Sequence, residues 1–274
     1  MTTLRLAVGH NANMMRQGFR PDYKPYAAML CSYFYLWKFD MIRGESPGIA
    51  MRDWSMDSGA FTAWAQGEKI DLEAYTRTCV ERFRADPALV EVFVLDAIDD
   101  PEQTLANVEW MWKHGVPAIP VYHYGEPEKY LLHYAQHYPK LALGGVASLR
   151  GGDRHKWMRQ CFARVWPALV HGFAVTAETD LLCVPWDSVD SSSWQGPAQY
   201  GLSKAFNVNS GGNVRGRKAK MRSSYRALAR PEVDWYLNLE LKAKGRHRGA
   251  LEEAMRATLQ RFPDYPYRAI EVAS

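Results

Sequence analysis

Eight short segments of almost continuous apolar character recur along this chain, and they constrain its fold more than any other feature. Such segments, in contrast to alternating apolar and polar residues, are typical of parallel strands buried on both faces. The segments are residues 4–9, 29–35, 53–57, 90–98, 118–124, 141–145, 169–175 and 186–190. The pattern predicts a sheet of eight parallel strands.

Helical patterns fill most of the intervals between these segments. Residues 71–84 place apolar side chains at helical spacing, and residues 101–113 begin with Pro after two aspartates and are followed by Gly115. Residues 126–138 and 153–166 continue the alternation. Alternating strands and helices predict an α/β fold, and eight strands favour a (β/α)8 TIM barrel. An open doubly wound sheet is the alternative, although no glycine-rich phosphate loop follows the first segment.

The composition excludes two broad classes of protein. With 274 residues, 47% hydrophobic and 23% charged, the chain is long and apolar enough to bury a core rather than stay disordered. Its longest apolar stretch, residues 26–37, contains Ser32 and is too short to cross a bilayer. The four scattered cysteines form no CxxC pair, which argues against a local zinc site and is typical of a reducing compartment. We therefore expect a cytoplasmic protein that does not associate with membranes.

Positive charge is concentrated at the C-terminal end. Residues 201–274 hold 15 basic and 7 acidic residues, whereas residues 1–200 hold 19 basic and 23 acidic residues. We divide the chain into a barrel core, residues 1–200, and a basic segment, residues 201–274, that completes the same domain and carries a helical pattern at residues 248–262. Basic clusters neutralise phosphates without reading sequence, so this segment predicts contact with nucleic acid; a solvated surface is the alternative. The predicted contact residues are Arg215, Arg217, Lys218, Lys220, Arg222 and Arg226.

Polar residues and glycines stand where the predicted strands end, and in a barrel these ends line one active-site mouth. They are Asp57, Ser58, Gly59, Asp96, His123, Gly144, Gly145, His171, Gly172 and residues 190–193. Two carboxylates in one pocket can catalyse substitution at a sugar carbon by taking different roles, because one attacks C1′ while the other moves a proton to and from the leaving group. Asp57 and Asp190 form the natural pair. Asp96 is left for recognition, since a carboxylate accepts two parallel hydrogen bonds from a guanine-like base.

The other polar positions have both functional and structural readings. Gly144 and Gly145 would let backbone N–H groups approach a base carbonyl. A single aspartate at a strand end often caps the next helix, and His123 and His171 also suit packed imidazoles or ligands in a metal-dependent hydrolase. A metal site would usually include a histidine pair on the first strand, which is missing here. We therefore expect no metal and no cofactor.

Three of these strand ends resemble a known enzyme family. Residues 56–61, MDSGAF, resemble the DSGGFQ segment of the queuine and archaeosine tRNA-guanine transglycosylases, and residues 143–145 resemble their LGGL segment. Residues 187–190, DSVD, resemble the D-x-F-D run that ends in their nucleophilic aspartate. The chain is more similar to the short phage- and island-type relatives that insert 7-deazaguanine bases into DNA. This closer similarity lies at residues 57–61, 95–99, 120–126, 142–145, 171–173 and 186–194.

The resemblance implies a DNA-guanine transglycosylase, which is a pentosyltransferase that replaces guanine in DNA with a 7-deazaguanine base such as preQ0 or a derivative. It implies that Asp190 is the nucleophile of a covalent glycosyl intermediate and that Asp57 is the general acid and base. The implied base-binding residues are Asp96, His123, Gly144, Gly145, Ser58 and His171. If the protein is phage-encoded, the cytoplasm is that of the host.

One departure from the family bears on the choice of polynucleotide. The tRNA enzymes carry a zinc site of three cysteines and a histidine after the nucleophile, whereas this sequence has no cysteine after Cys183. We therefore expect no zinc subdomain and favour DNA as the partner. The alternatives are the same exchange on tRNA and a non-catalytic barrel that binds nucleic acid.

Overall fold

Eight parallel strands form one sheet in the computed structural model, which describes residues 2–8, 15–16, 27–45, 51–146, 149–175, 177–195, 202–203, 214–215 and 225–266. Their order is β4-β3-β2-β1-β8-β7-β6-β5, and each of the eight predicted segments overlaps one strand. The strands are β1 (Thr3–Val8), β2 (Ala27–Ser32), β3 (Met51–Asp57), β4 (Leu89–Val92), β5 (Val121–His123), β6 (Lys140–Gly144), β7 (Leu169–Gly172) and β8 (Ser188–Ser191).

The two edge strands, β4 and β5, meet and close the sheet into a barrel. Phe93 and Ile119 form an isolated parallel bridge between the chain segments at these strands. The amide of Val94 donates to the Ile119 carbonyl at 3.0 Å, and the amide of Ile119 donates to the Val92 carbonyl at 2.8 Å. This closure confirms the predicted (β/α)8 TIM barrel.

Helices follow most of the strands, as the sequence pattern predicts. Asp71 and Asp100 accept hydrogen bonds from Ala74 N at 2.8 Å and Gln103 N at 2.9 Å, so each caps a helix N-terminus. The helices are α1 (Leu36–Glu45), α2 (Ala60–Ala65), α3 (Leu72–Ala85), α4 (Pro101–Lys113), α5 (Glu128–His137), α6 (Gly151–Val165), α7 (Glu178–Leu181) and α8 (Tyr225–Arg261). Short 3-10 turns cover Tyr33–Tyr35 and Ser193–Gln195, and β9 (Leu202–Ser203) pairs with β10 (Val214–Arg215).

The last helix, α8, is much longer than the helical pattern at residues 248–262 predicts. It has 37 residues, equivalent to about 55 Å at about 1.5 Å per residue. Glu240, which is 3% exposed, fastens it to the barrel by accepting hydrogen bonds from Leu4 N at 3.0 Å and from Arg52 at 2.9 Å. The Ser191 hydroxyl lies 3.3 Å from the Tyr236 hydroxyl, so α8 also packs against the end of β8. Within the described residues, no helix is both long and apolar enough to cross a membrane.

Charged side chains fill part of the barrel interior. Lys140, at the start of β6, donates to Glu91 and Asp187 at 2.6 Å each, and Arg5 donates to Glu91 at 3.0 Å. Burial alone would raise the pKa of Glu91, but Lys140 and Arg5 hold it well below its usual range. The paired geometry therefore keeps these buried groups charged.

Candidate active site

Three carboxylates that the sequence places at strand ends come together at one end of the barrel. Asp57 is the last residue of β3, Asp190 lies in β8, and Asp96 follows β4. Burial, and then the negative charges of Asp96 and Asp190, raise the pKa of Asp57 to about 7. A partly buried carboxyl group among like charges takes up a proton more readily than an isolated one. Asp57 can therefore exchange a proton near neutral pH.

The turn after Asp57 fixes the position of its side chain. Gly59 donates its amide to Asp57 Oδ2 at 3.1 Å and adopts a left-handed backbone with φ of +78°. A Cβ atom at Gly59 would lie 2.1 Å from Ser32 Oγ and 2.9 Å from Phe34 Cβ, so any other residue would displace its neighbours. Ser58, which is fully buried, donates its hydroxyl to Asp96 Oδ1 at 3.1 Å. Ser58 is thus linked to Asp96, and its contact with a base stays a prediction.

His123 lies between two carboxylates at the end of β5. Its Nε2 atom is 3.4 Å from Asp96 Oδ2, and its Nδ1 atom is 3.1 Å from Glu126 Oε1. Glu126 also accepts a hydrogen bond from the His123 amide at 3.0 Å. Burial alone would lower the pKa of His123, but Asp96 and Glu126 raise it to about 10. His123 is therefore an imidazolium at neutral pH, with both ring nitrogens directed at carboxylates.

Glu126 is a site residue that the sequence reasoning missed. It stands three positions after His123, the last residue of β5. The spacing of a histidine and a glutamate directly after a strand was the available signal. The role of Glu126 is visible only in the structure, where the turn after β5 places its carboxylate against both the backbone amide and the ring of His123.

Gly144, the last residue of β6, and Gly145 after it make room for the residues at the end of β5. A Cβ atom at Gly144 would lie 2.6 Å from His123 Cδ2, and one at Gly145 would lie 3.1 Å from Tyr124 N. Gly145 also has a φ of +76°, which favours glycine. Gly144 accepts a hydrogen bond from Tyr124 N at 3.2 Å. These contacts explain both glycines through packing, and contact with a base carbonyl stays a prediction.

Asp190 is 7% exposed, and one of its oxygens is turned towards the protein. Oδ1 accepts a hydrogen bond from Ala174 N at 2.8 Å and lies 3.7 Å from Nε2 of His171, which is too long for a hydrogen bond. His171 itself is fully buried, with its ring centroid 4.6 Å from that of Phe93 and 4.7 Å from that of Phe173. Whereas the sequence places His171 among the base-binding residues at the rim, its ring lies inside the barrel next to Asp190.

The predicted nucleic-acid contacts fall mostly beyond the described part of the chain. Arg217, Lys218, Lys220 and Arg222 lie outside the described residues, and their contact with nucleic acid stays a prediction. Arg215 belongs to β10, and Arg226 belongs to the first turn of α8. The described side chains include no group of three or more potential ligands arranged to hold a metal ion.

Comparison with solved structures gives a similarity in fold alone. The chain is similar to Rhizobium etli pyruvate carboxylase T882A, crystallized without acetyl coenzyme-A, at 13% identity and a TM-score of 0.45, over 91% of this chain and 28% of that chain. It is also similar to the carboxyl transferase domain of that carboxylase with pyruvate, at 10% identity and a TM-score of 0.42, over 91% of this chain and 48% of that chain. The chain thus spans less than half the length of either structure. No protein-family model and no curated protein matches the sequence.

Proposed function

We propose that this protein is a base-exchange glycosyltransferase that replaces guanine in DNA with a 7-deazaguanine base. The observation that carries the proposal is the cluster of Asp57, Asp96 and Asp190 at the strand ends, in which the pKa of Asp57 is raised to about 7. Carboxylates in one pocket with separated roles are the arrangement used for substitution at a sugar carbon. The resemblance of residues 56–61, 143–145 and 187–190 to the transglycosylases gives the substrate class.

In the proposed reaction, Asp190 is the nucleophile. Oδ1 is engaged by the Ala174 amide, which leaves Oδ2 to attack C1′ of the deoxyribose. The bond from C1′ to guanine breaks as the bond from C1′ to Oδ2 forms, and Asp57 gives its proton to a ring nitrogen of the departing guanine. The incoming base then loses a proton to Asp57 and attacks C1′, so Asp190 is released as a carboxylate. Atoms and protons balance over the two steps, and no redox cofactor is required.

Asp96 is suited to hold the base during both steps. Each of its oxygens faces one protein donor, Ser58 Oγ at 3.1 Å and His123 Nε2 at 3.4 Å. A carboxylate offers about four lone-pair sites, so each oxygen keeps a site for the base. The N1–H and the exocyclic amine of guanine, or of a 7-deazaguanine, fit these two sites.

The test is incorporation of a labelled 7-deazaguanine base into DNA and into tRNA, assayed in parallel. We expect incorporation into DNA by the wild type and its loss in Asp190→Asn, with no loss in Asp264→Asn, which changes an exposed carboxylate after α8. Denaturing the wild type during turnover without the incoming base should trap a covalent adduct with DNA. Full incorporation by Asp190→Asn would exclude Asp190 as the nucleophile. Incorporation into tRNA alone would mean that tRNA, and not DNA, is the substrate. Salt-sensitive binding without any adduct would favour a non-catalytic barrel.

A further inference from the structure

A buried chain of hydrogen bonds leads from Lys140 towards Asp190. Lys140 is 1% exposed, and its ammonium lies 2.6 Å from a Glu91 oxygen, 2.6 Å from an Asp187 oxygen and 2.8 Å from Ser188 Oγ. An ammonium has three N–H donors and no acceptor, so all three donors are used, and one of them goes to Ser188. Burial alone would lower the pKa of Lys140, but Asp187 and Glu91 raise it, which keeps the ammonium charged.

Because Ser188 Oγ accepts from Lys140, its own proton must go to another group. Nδ1 of His171 lies 2.8 Å from Ser188 Oγ, and no other hydrogen-bond acceptor for this hydroxyl is found among the described residues. Burial lowers the pKa of His171, so the ring is neutral and carries a single proton. A neutral imidazole that accepts at Nδ1 carries its proton on Nε2. The contacts of Lys140 and Ser188 thus fix the tautomer of His171.

The protonated nitrogen faces the candidate nucleophile. His171 Nε2 is buried, has no hydrogen-bond partner among the described residues, and lies 3.7 Å from Asp190 Oδ1. A donor left unpaired inside a protein is costly, and here it stands beside a carboxylate. The amide of Ala174 contacts the same oxygen, so both donors lie on the Oδ1 side of Asp190.

We propose that Lys140, Ser188 and His171 form a positioning relay that keeps the His171 proton on Nε2, so that Asp190 is held with Oδ1 towards the protein and Oδ2 towards the substrate. The proposal rests on the proposed function, because it assigns Asp190 the attack on C1′. In the second displacement, negative charge returns to Asp190, and the Nε2–H group stabilises it. His171 is thus a positioning residue and not a group that reads the base. If the ring only packed between Phe93 and Phe173, a change of its tautomer would leave the rate of adduct formation unchanged.

The first part of the test measures the tautomer directly and needs no substrate. In the full-length protein labelled with 15N-histidine, the ring signals of His171 are identified by their loss in His171→Gln. We expect an unprotonated Nδ1 and a protonated Nε2 in the wild type, and loss of this single tautomer in Ser188→Ala. Ser55→Ala is the matched control, because Ser55 is fully buried and donates to Glu91 at 3.1 Å without touching His171. A protonated Nδ1 in the wild type, or an unchanged His171 in Ser188→Ala, overturns the relay.

The second part measures the rate of adduct formation with DNA. Ser188→Ala should lower it on the order of 10- to 100-fold, the range typical when the hydrogen-bond partner that orients a metal-bound histidine is removed. KM for the base should stay unchanged, because Asp96 and His123 are untouched. Ser188→Thr keeps the hydroxyl and should restore both the tautomer and the rate. An altered tautomer with an unaltered rate overturns the positioning role, whereas a wild type that forms no adduct refutes the proposed function and leaves the tautomer result standing.

Discussion

Replacing Asp57 by Asn is expected to stabilise the folded protein above neutral pH while abolishing base exchange. Burial and the charges of Asp96 and Asp190 raise the pKa of Asp57 from its usual 3.8 to about 7. Between these two values the unfolded chain has lost the Asp57 proton and the folded protein has kept it. Deprotonation therefore favours the unfolded state, and stability falls as the pH rises from about 4 to about 7.

The size of the effect follows from the same two pKa values. A pKa of about 7 in place of 3.8 corresponds to about 4 kcal/mol in the free energy of unfolding, at about 1.4 kcal/mol for each pKa unit. This is an upper bound, because the Asp57 side chain is partly exposed. Asparagine does not titrate, so the advantage of Asp57→Asn should be small at pH 4, grow through pH 5 to 7, and stay constant above pH 8.

Urea denaturation at several pH values from 4 to 9 measures this advantage. Asp264→Asn removes an exposed carboxylate and should give a curve parallel to that of the wild type. Parallel curves for Asp57→Asn and the wild type would refute the argument, because they would mean that Asp57 has the same pKa in the folded and unfolded states. The measurement needs no substrate and so does not depend on the proposed reaction.

Two further predictions concern His123. Gly144→Ala places a Cβ atom 2.6 Å from His123 Cδ2, so we expect the ring to shift. The 7-deazaguanine base should then bind more weakly in a calorimetric titration. Unchanged affinity would mean that His123 does not contribute to binding of the base. Glu126→Gln removes one of the two carboxylates that raise the pKa of His123 to about 10, so an NMR titration of the ring should give a lower pKa, and an unchanged value would contradict the contact.

The barrel was predictable from the sequence because its strands are buried on both faces. Residues 141–145 and 169–175, for example, are apolar apart from His171, and β6 and β7 overlap them. The ends of the segments were less predictable. Residues 33–35 are as apolar as β2, yet they form a 3-10 turn, because the Ser32 hydroxyl accepts the Phe34 amide at 3.2 Å and ends the strand. Such local hydrogen bonds compete with strand formation.

The long helix α8 and the inner relay could not be found from local patterns. Glu240 bonds to Leu4, 236 positions away in the chain, and this contact becomes visible only when β1 is already in place. Lys140 directly precedes the apolar segment at residues 141–145, and its partners Asp187 and Ser188 lie at the start of β8, 47 and 48 positions away in the chain. The three aspartates of the site were predictable because strand ends converge in a barrel, whereas the burial of His171 depended on how Phe93 and Phe173 pack around it.

The seam between β4 and β5 has the least backbone pairing of any two neighbouring strands in the barrel, since one bridge between Phe93 and Ile119 connects them. Asp96 follows the strand on one side of this seam, and His123 ends the strand on the other side. Their ion pair therefore ties the two sides together at the mouth, where backbone pairing has ended. A ligand that binds to both residues must stabilise the closed barrel, because it binds the folded state alone. Binding of such a ligand should therefore slow hydrogen exchange at the Val94 and Ile119 amides, because their hydrogen bonds close the barrel.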